Sequence, residues 1–278
     1  MRIGVHPLNL HLRLAQGWPG LFPETFTFVP YPEGRDTGTL ISARQFQAGG
    51  TGSTPPLISQ AEGLSVVYVA ASAPRPANGA LLVAPEAAVQ SLADLKGRRV
   101  ALIDGSFHTY LLARSLDQAG LGLADVTRVE LSPAASRLAL IRGEVDVWIA
   151  MAPQIESAIG AGEARLLALC GSTIPNRSVF WTLADAGLSD TEIRDFVARL
   201  IRLGEEIAAD PDRAAQILAG PGAKPESLAQ WRRVVAGRDW TILPADPTLI
   251  AEQQAEADTL TRHGDFDRAL QISAFLAA

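Results

Sequence analysis

Apolar residues in this chain come in short runs, and the run spacing sets the expected order of elements. Residues 3–5 (IGV) read as a first strand, and Leu10, Leu12 and Leu14 begin a short helix that ends by Gly17. Residues 25–31 (TFTFVPY) alternate apolar and polar side chains, as a half-buried strand does. Residues 36–46 are weakly helical, and residues 64–71 form a β-rich run read as a buried parallel strand. From residue 80 the pattern alternates strictly: strands at 80–84, 99–103, 126–131, 145–150 and 165–169, with helices at 91–97, 106–119, 132–142 and 153–160 between them. Such alternation predicts a parallel sheet with helices on its faces. After a β-rich run at 177–183 the pattern becomes helical, with helices predicted over 189–209, 211–218, 225–235, 248–262 and 265–276. Ser189 and Glu192 stand at capping-box spacing, and Ser132 is placed to cap its helix.

Two boundaries between these runs share one chemistry. In GGTGSTPPLISQ, residues 49–60, a Gly-rich strand end meets Ser53, Thr54 and a Pro pair. Proline is tolerated in the first helical turn, where its missing N–H is not needed. Thr54 is the expected N-cap, and Gly49, Gly50 and Gly52 are expected to supply positive φ and close approach to a ligand. Asp104-Gly105-Ser106-Phe107-His108-Thr109 repeats the theme: strand, glycine turn, hydroxyl cap, helix start. Free amides at a helix N-terminus favour an anion, and ligands of open α/β sheets bind outside the carboxyl ends of the strands. Residues 149–154 (IAMAPQ) are a third turn of this kind, with Met151 as an apolar contact and Gln154 as an amide. Residues 72–79 (SAPRPANG) read as a crossing between two lobes, and residues 177–183 as the return. This divides the chain into one lobe of 1–79 plus 182–278 and another of 80–181.

Composition narrows the function classes. The chain has 278 residues, 47% hydrophobic and 19% charged, which is ordinary for a globular protein. With 24 basic and 30 acidic residues its net charge is −6, which argues against nucleic acid or an anionic membrane surface as the main partner. The single cysteine, Cys170, closes an apolar run and reads as a buried core thiol. The longest apolar run, residues 64–73, is too short to span a bilayer. No export signal is visible, so either the protein is cytoplasmic or a signal has been removed from the chain.

Three stretches together resemble a known family: TGSTPPLISQAEGLSVVYVAASAPRPANGALLV, SLADLKGRRVALIDGSFHTYLLARSLDQAGL, and the VDVW strand with its following proline. They are similar to solute-binding proteins of ABC importers, in particular the aliphatic-sulfonate, taurine and nitrate group. The resemblance implies an α/β, two-lobed type II periplasmic-binding-protein fold with two hinge crossings and a helical C-terminal part. It implies a small organic anion as ligand, captured between the lobes by hinge closure, and a membrane ABC permease as partner. It also implies a location outside the cytoplasmic membrane, a monomer, and no cofactor, metal or nucleic acid. Carried onto this chain, the anion-binding turns are Gly52, Ser53 and Thr54, and Ser106 and Phe107. His108 and Thr109 stand beside them, where many members have other residues. Met151, Ala152 and Gln154 replace the Trp, Asp and Tyr of the family's WDPY-like segment. With the turn His6-Pro7-Leu8-Asn9 they are expected to read the ligand's tail.

Other relatives on this scaffold are enzymes, so an enzyme acting on a small sulfur- or nitrogen-containing compound is the competing expectation. Here no pairing of nucleophile and base is evident around Cys170 or Ser106. His6 and His11 lack the spacing of a helical metal pair. His263 reads as a surface residue, and Glu252, Glu256 and Asp258 as a solvated acidic face. Arg177, at the return crossing, is the cation nominated to reach a bound anion.

Overall fold

The structure is a computed structural model that describes residues 1–171 and 173–274. Its strands and helices run β1 (Arg2–Val5), α1 (Leu10–Gly17), β2 (Thr27–Pro30), α2 (Thr37–Ser42), β3 (Ala48–Thr51), α3 (Thr54–Ala61) and β4 (Val66–Ser72). Then follow β5 (Gly79–Val83), β6 (Arg99–Leu102), α4 (Phe107–Gln118), β7 (Thr127–Glu130), α5 (Pro133–Ile141), β8 (Val147–Met151), α6 (Gln154–Gly160) and β9 (Arg165–Leu169). The chain finishes with β10 (Val179–Leu183), α7 (Asp190–Ala209), α8 (Pro211–Ala219), α9 (Pro225–Ala236), β11 (Ile242–Pro244) and α10 (Pro247–Arg262).

The chain divides into two compact units. The first is Met1–Pro74, Arg177–Gln254 and Leu270–Ala278; the second is Arg75–Asn176 and Ala255–Ala269. The division differs from the expected 1–79 plus 182–278 and 80–181. Residues 177–183 were expected to cross between lobes. Instead Val179–Leu183 forms a fully buried strand inside the first unit's sheet, between β3 and β4, so the boundary falls ahead of it. Residues 255–269 belong with the second unit, because Arg262 and His263 are bound to Asp117, and Asp265 to Arg128.

In the first unit the strand order is β11-β4-β10-β3-β1-β2. β1 is parallel to β2 and β3, whereas β10 is antiparallel to both β3 and β4. β4 was expected to be a parallel strand; all its partners are antiparallel, since β10 runs back through the sheet and β11 adds at the edge. β11 was missed from the sequence because three residues ending in proline carry too little pattern. One face of the sheet is sealed by α7, whose Ile193, Phe196, Val197 and Leu200 pack on Ile3, Val5, Val69 and Phe180. Each such side chain contributes roughly 1.5–3 kcal/mol when fully buried. The helix begins at the expected capping box, in which the Ser189 and Glu192 side chains each bind the other residue's backbone N–H.

In the second unit the order is β7-β6-β8-β5-β9. β6 is parallel to β7 and β8, but β5 is antiparallel to β8 and β9, so the sheet is mixed and not the parallel one that strict alternation predicts. Alternation in sequence orders the elements; it does not say that the strand entering from residue 79 runs against its neighbours. Trp148, read as core, is fully buried here with Leu82, Ala101 and Ile155.

The final helix expected over 265–276 does not form across residues 265–274, and residues 275 and 276 lie outside the described residues. Gly264, with φ 78°, ends α10. Gln254 then binds both the Leu270 carbonyl and the Ile272 amide, which holds the chain extended. Nor is α10 a solvated acidic face: Glu256 is buried and Glu252 is paired with Arg177.

Candidate functional site

Each unit carries two strand-to-helix turns that leave from neighbouring parallel strands. In the first unit they follow β1 and β3. Asn9 is the N-cap of α1: its Oδ1 accepts the Leu12 amide at 3.0 Å. Its Nδ2 is buried with no hydrogen-bond partner among the described residues. This amide sits against Gly50, where an added Cβ would come within 2.6 Å of it. His6 reaches the same glycine, its Nε2–H donating to the Gly50 carbonyl at 3.1 Å. Burial lowers the His6 pKa to about 4, with the Gly50 bond opposing the shift.

The glycines of this turn act differently from expectation. Gly49 and Gly50 are strand residues in β3 with ordinary φ, and their missing Cβ atoms make room for Thr37, Asn9 and Phe180. The cap of α3 is Ser53, not Thr54, and its side chain makes no capping bond. Thr54 is already inside the helix and wholly buried. Pro55 and Pro56 then remove two of the four amides a helix start leaves open. The first unit's turn is therefore poorer in free donors than its glycines and hydroxyls suggest, and Gly52 supplies only half-buried backbone.

In the second unit the turns follow β6 and β8. The α4 turn is internally braced. Gly105 takes φ 69°, and its amide donates to Asp104 Oδ1 and to Thr109 Oγ1. The Thr109 hydroxyl donates in turn to Asp104 at 2.7 Å. Thr109 is thus consumed in holding the turn and has no hydrogen left to offer a ligand. Asp104 is neutralised by Arg128, which also pairs with Asp265. Ser106 caps α4 as expected, accepting the His108 amide, while its own hydroxyl hydrogen goes to the Ile103 carbonyl at 2.6 Å. That leaves the Ser106 and Phe107 amides at the turn itself.

His108 is the residue whose state only the structure defines. Its Nδ1 accepts the Ile103 amide at 3.1 Å. Nδ1 must then be unprotonated, so the hydrogen of the neutral ring is on Nε2. This Nε2–H is buried and without a partner among the described residues, and the side chain is only 2% exposed. Burial pushes its pKa down to about 3, so the ring is neutral at ordinary pH. A buried donor left unmade costs roughly 1–3 kcal/mol, which makes this N–H the candidate donor of the turn.

Phe107 packs over Gly79, and Gly79 pairs with Met151 across β5 and β8, which places the two sequence-nominated contacts at one sheet edge. Gln154 opens α6, and its Oε1 is buried with no partner among the described residues.

Arg177, nominated to reach an anion, is engaged inside the first unit. Its Nε and one terminal nitrogen grip both oxygens of Glu252 at 2.7 and 2.9 Å, and the other nitrogen binds the Ser72 carbonyl at 2.9 Å. A residue 75 positions along the chain claims its charge. His263 is likewise no surface residue: Nδ1 accepts the Leu123 amide and Nε2–H donates to Asp117. Cys170 is the expected core thiol, fully buried with Sγ–H directed at the Pro76 carbonyl. Among the described residues no group of three or more His, Cys, Asp or Glu could hold a metal ion, and no helix is long and apolar enough to cross a membrane.

The NMT1/THI5-like family model matches residues 26–212. A putative aliphatic sulfonates-binding protein of Escherichia coli K12 is 34% identical over 171 residues, covering 60% of this chain and 54% of that protein. The chain thus matches about half the length of this relative. The crystal structure of the periplasmic aliphatic sulphonate binding protein SsuA from Escherichia coli matches with a TM-score of 0.85 at 27% identity, over 98% of this chain and 90% of that one. The alkanesulfonate-binding protein SsuA from Xanthomonas axonopodis pv. citri, bound to MOPS, matches with a TM-score of 0.83 at 28% identity, over 98% and 96%.

Proposed function

Because the chain belongs to the NMT1/THI5-like family and shares the α/β fold of the periplasmic SsuA structures, we propose that it is a solute-binding protein of an ABC importer that captures a small organic sulfonate. It delivers this ligand to a membrane permease, works outside the cytoplasmic membrane, and acts as a single copy. The observation that carries the ligand class is the unmet Nε2–H of His108 at the start of α4. Beside it lie the Ser106 and Phe107 amides and the positive end of a twelve-residue helix. All these donors are neutral, and Arg75 and Arg177 are bound to Asn176 and to Glu252. Neutral, fixed donors suit a sulfonate, a permanent monoanion with three acceptor oxygens and no proton to give. Met151 supplies apolar contact in the same unit, paired with Gly79, over which Phe107 packs.

The enzyme reading lacks its pair of groups. The Ser106 hydroxyl donates to a carbonyl and not to His108, whose Nδ1 is occupied by a backbone amide. Cys170 is enclosed in the core with its thiol bonded to backbone.

Isothermal titration with propane-1-sulfonate tests the proposal. His108→Asn keeps an oxygen where Nδ1 stands but removes the Nε2–H. One hydrogen bond to a charged group is worth about 1.5–3 kcal/mol, so affinity should fall by roughly 10- to 150-fold. No binding of any alkanesulfonate to the unaltered protein, or equal affinity in the variant, would overturn it.

A further inference from the structure

The turn that leads into α4 holds a carboxylate beside the amides that face the anion. Asp104 stands two residues before Ser106 and three before Phe107. Its Oδ1 accepts the Gly105 amide at 3.1 Å and the hydroxyl of the wholly buried Thr109 at 2.7 Å, which fastens the turn around Gly105. The same oxygen takes a third donor from outside the turn, Arg128 Nη1 on β7, at 3.0 Å. That nitrogen also donates to Asp265 Oδ1 at 2.8 Å, 137 positions along the chain in the segment after α10, within the same unit. The guanidinium is therefore fixed from two sides. The side chains of Asp104, Arg128 and Asp265 are only 29, 31 and 18% exposed, so water screens their charges less than those of a free surface group.

Asp104 has two opposed effects at this place. Its hydrogen bonds shape the turn, and its charge repels an anion held there. Two residues of chain span at most about 7 Å. A unit charge at about 7 Å changes the binding constant of a monoanion by roughly 3- to 50-fold, for effective dielectric constants of about 80 to 20. The His108 Nε2–H and the Ser106 and Phe107 amides are neutral and carry no charge to offset it. We propose that Arg128 is a positioning residue for the ligand that acts through Asp104: it cancels the carboxylate's charge, so that Asp104 can brace the turn without repelling the sulfonate. This rests on the sulfonate reading above and adds to it a residue that lies outside the turn and need not touch the ligand.

Calorimetric titration of the full chain with propane-1-sulfonate, at about 20 mM and about 1 M sodium chloride, separates charge from scaffolding. Arg128→Met should weaken binding about tenfold at the lower salt and less than about threefold at the higher, where the screening length falls to about 3 Å. Adding Asp104→Asn to Arg128→Met should restore affinity to within about threefold of the parent, because the amide oxygen still accepts from Gly105 and Thr109 while the charge is gone. The loss of a merely structural tie would not be repaired by a second substitution in the same cluster. Asp104→Asn alone should bind at least as tightly as the parent, and it decides the matter if a thermal melt shows that Arg128→Met does not fold. Three results each overturn the role of Arg128 while leaving the sulfonate reading intact: Arg128→Met binding as tightly as the parent at low salt, a loss that survives Asp104→Asn, or Asp104→Asn alone weakening binding more than about threefold. No binding of any alkanesulfonate to the unaltered protein overturns both.

Discussion

Lowering the pH from about 7 to about 5 should cost this protein roughly 4 kcal/mol of folding stability, and two histidines account for it. Burial holds His6 at a pKa of about 4 and His108 at about 3 in the folded chain, against 6.5 when the chain is unfolded. A base whose folded pKa is lowered stabilises the fold fully above its unfolded value. As pH falls below 6.5 the unfolded chain takes up a proton that the folded chain refuses, so stability is lost until the folded pKa is reached. At about pH 5 each histidine is roughly 1.5 pH units below its unfolded value, and at 1.36 kcal/mol per unit each contributes about 2 kcal/mol of loss. Asp117 and Asp146 do not enter this window. Partial burial opposes the shift, but hydrogen bonds from His263 and Arg262, and from Arg99, hold these carboxyls below their ordinary range, so their share is lost only at lower pH. The assay is urea denaturation at both pH values, followed by tryptophan fluorescence. His6 lies in the first unit and His108 in the second; if the units unfold in separate steps, each midpoint should move by its own 2 kcal/mol. His108→Asn, in which Oδ1 can still take the Ile103 amide, should halve the total loss. Stability equal to within about 1 kcal/mol at the two pH values, or a variant that loses as much as the parent, would refute the assignment of buried neutral rings.

Two further substitutions probe what the fold has claimed for itself. Arg177→Met removes three charge-assisted hydrogen bonds and strands Glu252, so chemical denaturation should show a loss of about 2–3 kcal/mol, while alkanesulfonate affinity stays within about threefold; a large affinity loss would return Arg177 to the site. Gly204→Ala should destabilise by about 1–3 kcal/mol in the same assay, because its Cβ would lie 2.5 Å from the Trp240 carbonyl oxygen and backbone must shift to admit it; unchanged stability would mean that this part of the chain yields freely.

The boundary between what was readable and what was not follows the range of each interaction. The element order up to α9, the prolines of the first α3 turn, the caps at Ser106, Ser132 and Ser189, and the core fate of Cys170 and Trp148 were legible, whereas β11 and the end of the chain were not. These depend on residues within about one helical turn or on a strand's own apolarity. The direction of β4 and β5 was not, because a strand's partners are decided by segments that return from far along the chain, as β10 does.

The same limit governs the site. By itself the sequence determined where the candidate turns stand, since strand, glycine, hydroxyl and helix start are consecutive. Only the tertiary structure decided which groups in those turns remain open. Arg177 is spent on a glutamate 75 residues away, and Thr109 and the Ser106 hydroxyl are spent on their own turn. Among the described residues, His108 and Gln154 keep one buried side-chain atom each without a partner. Hydrogen-bonding capacity is exhausted pair by pair in three dimensions. What a side chain can offer a ligand is therefore whatever its neighbours in space have not already taken.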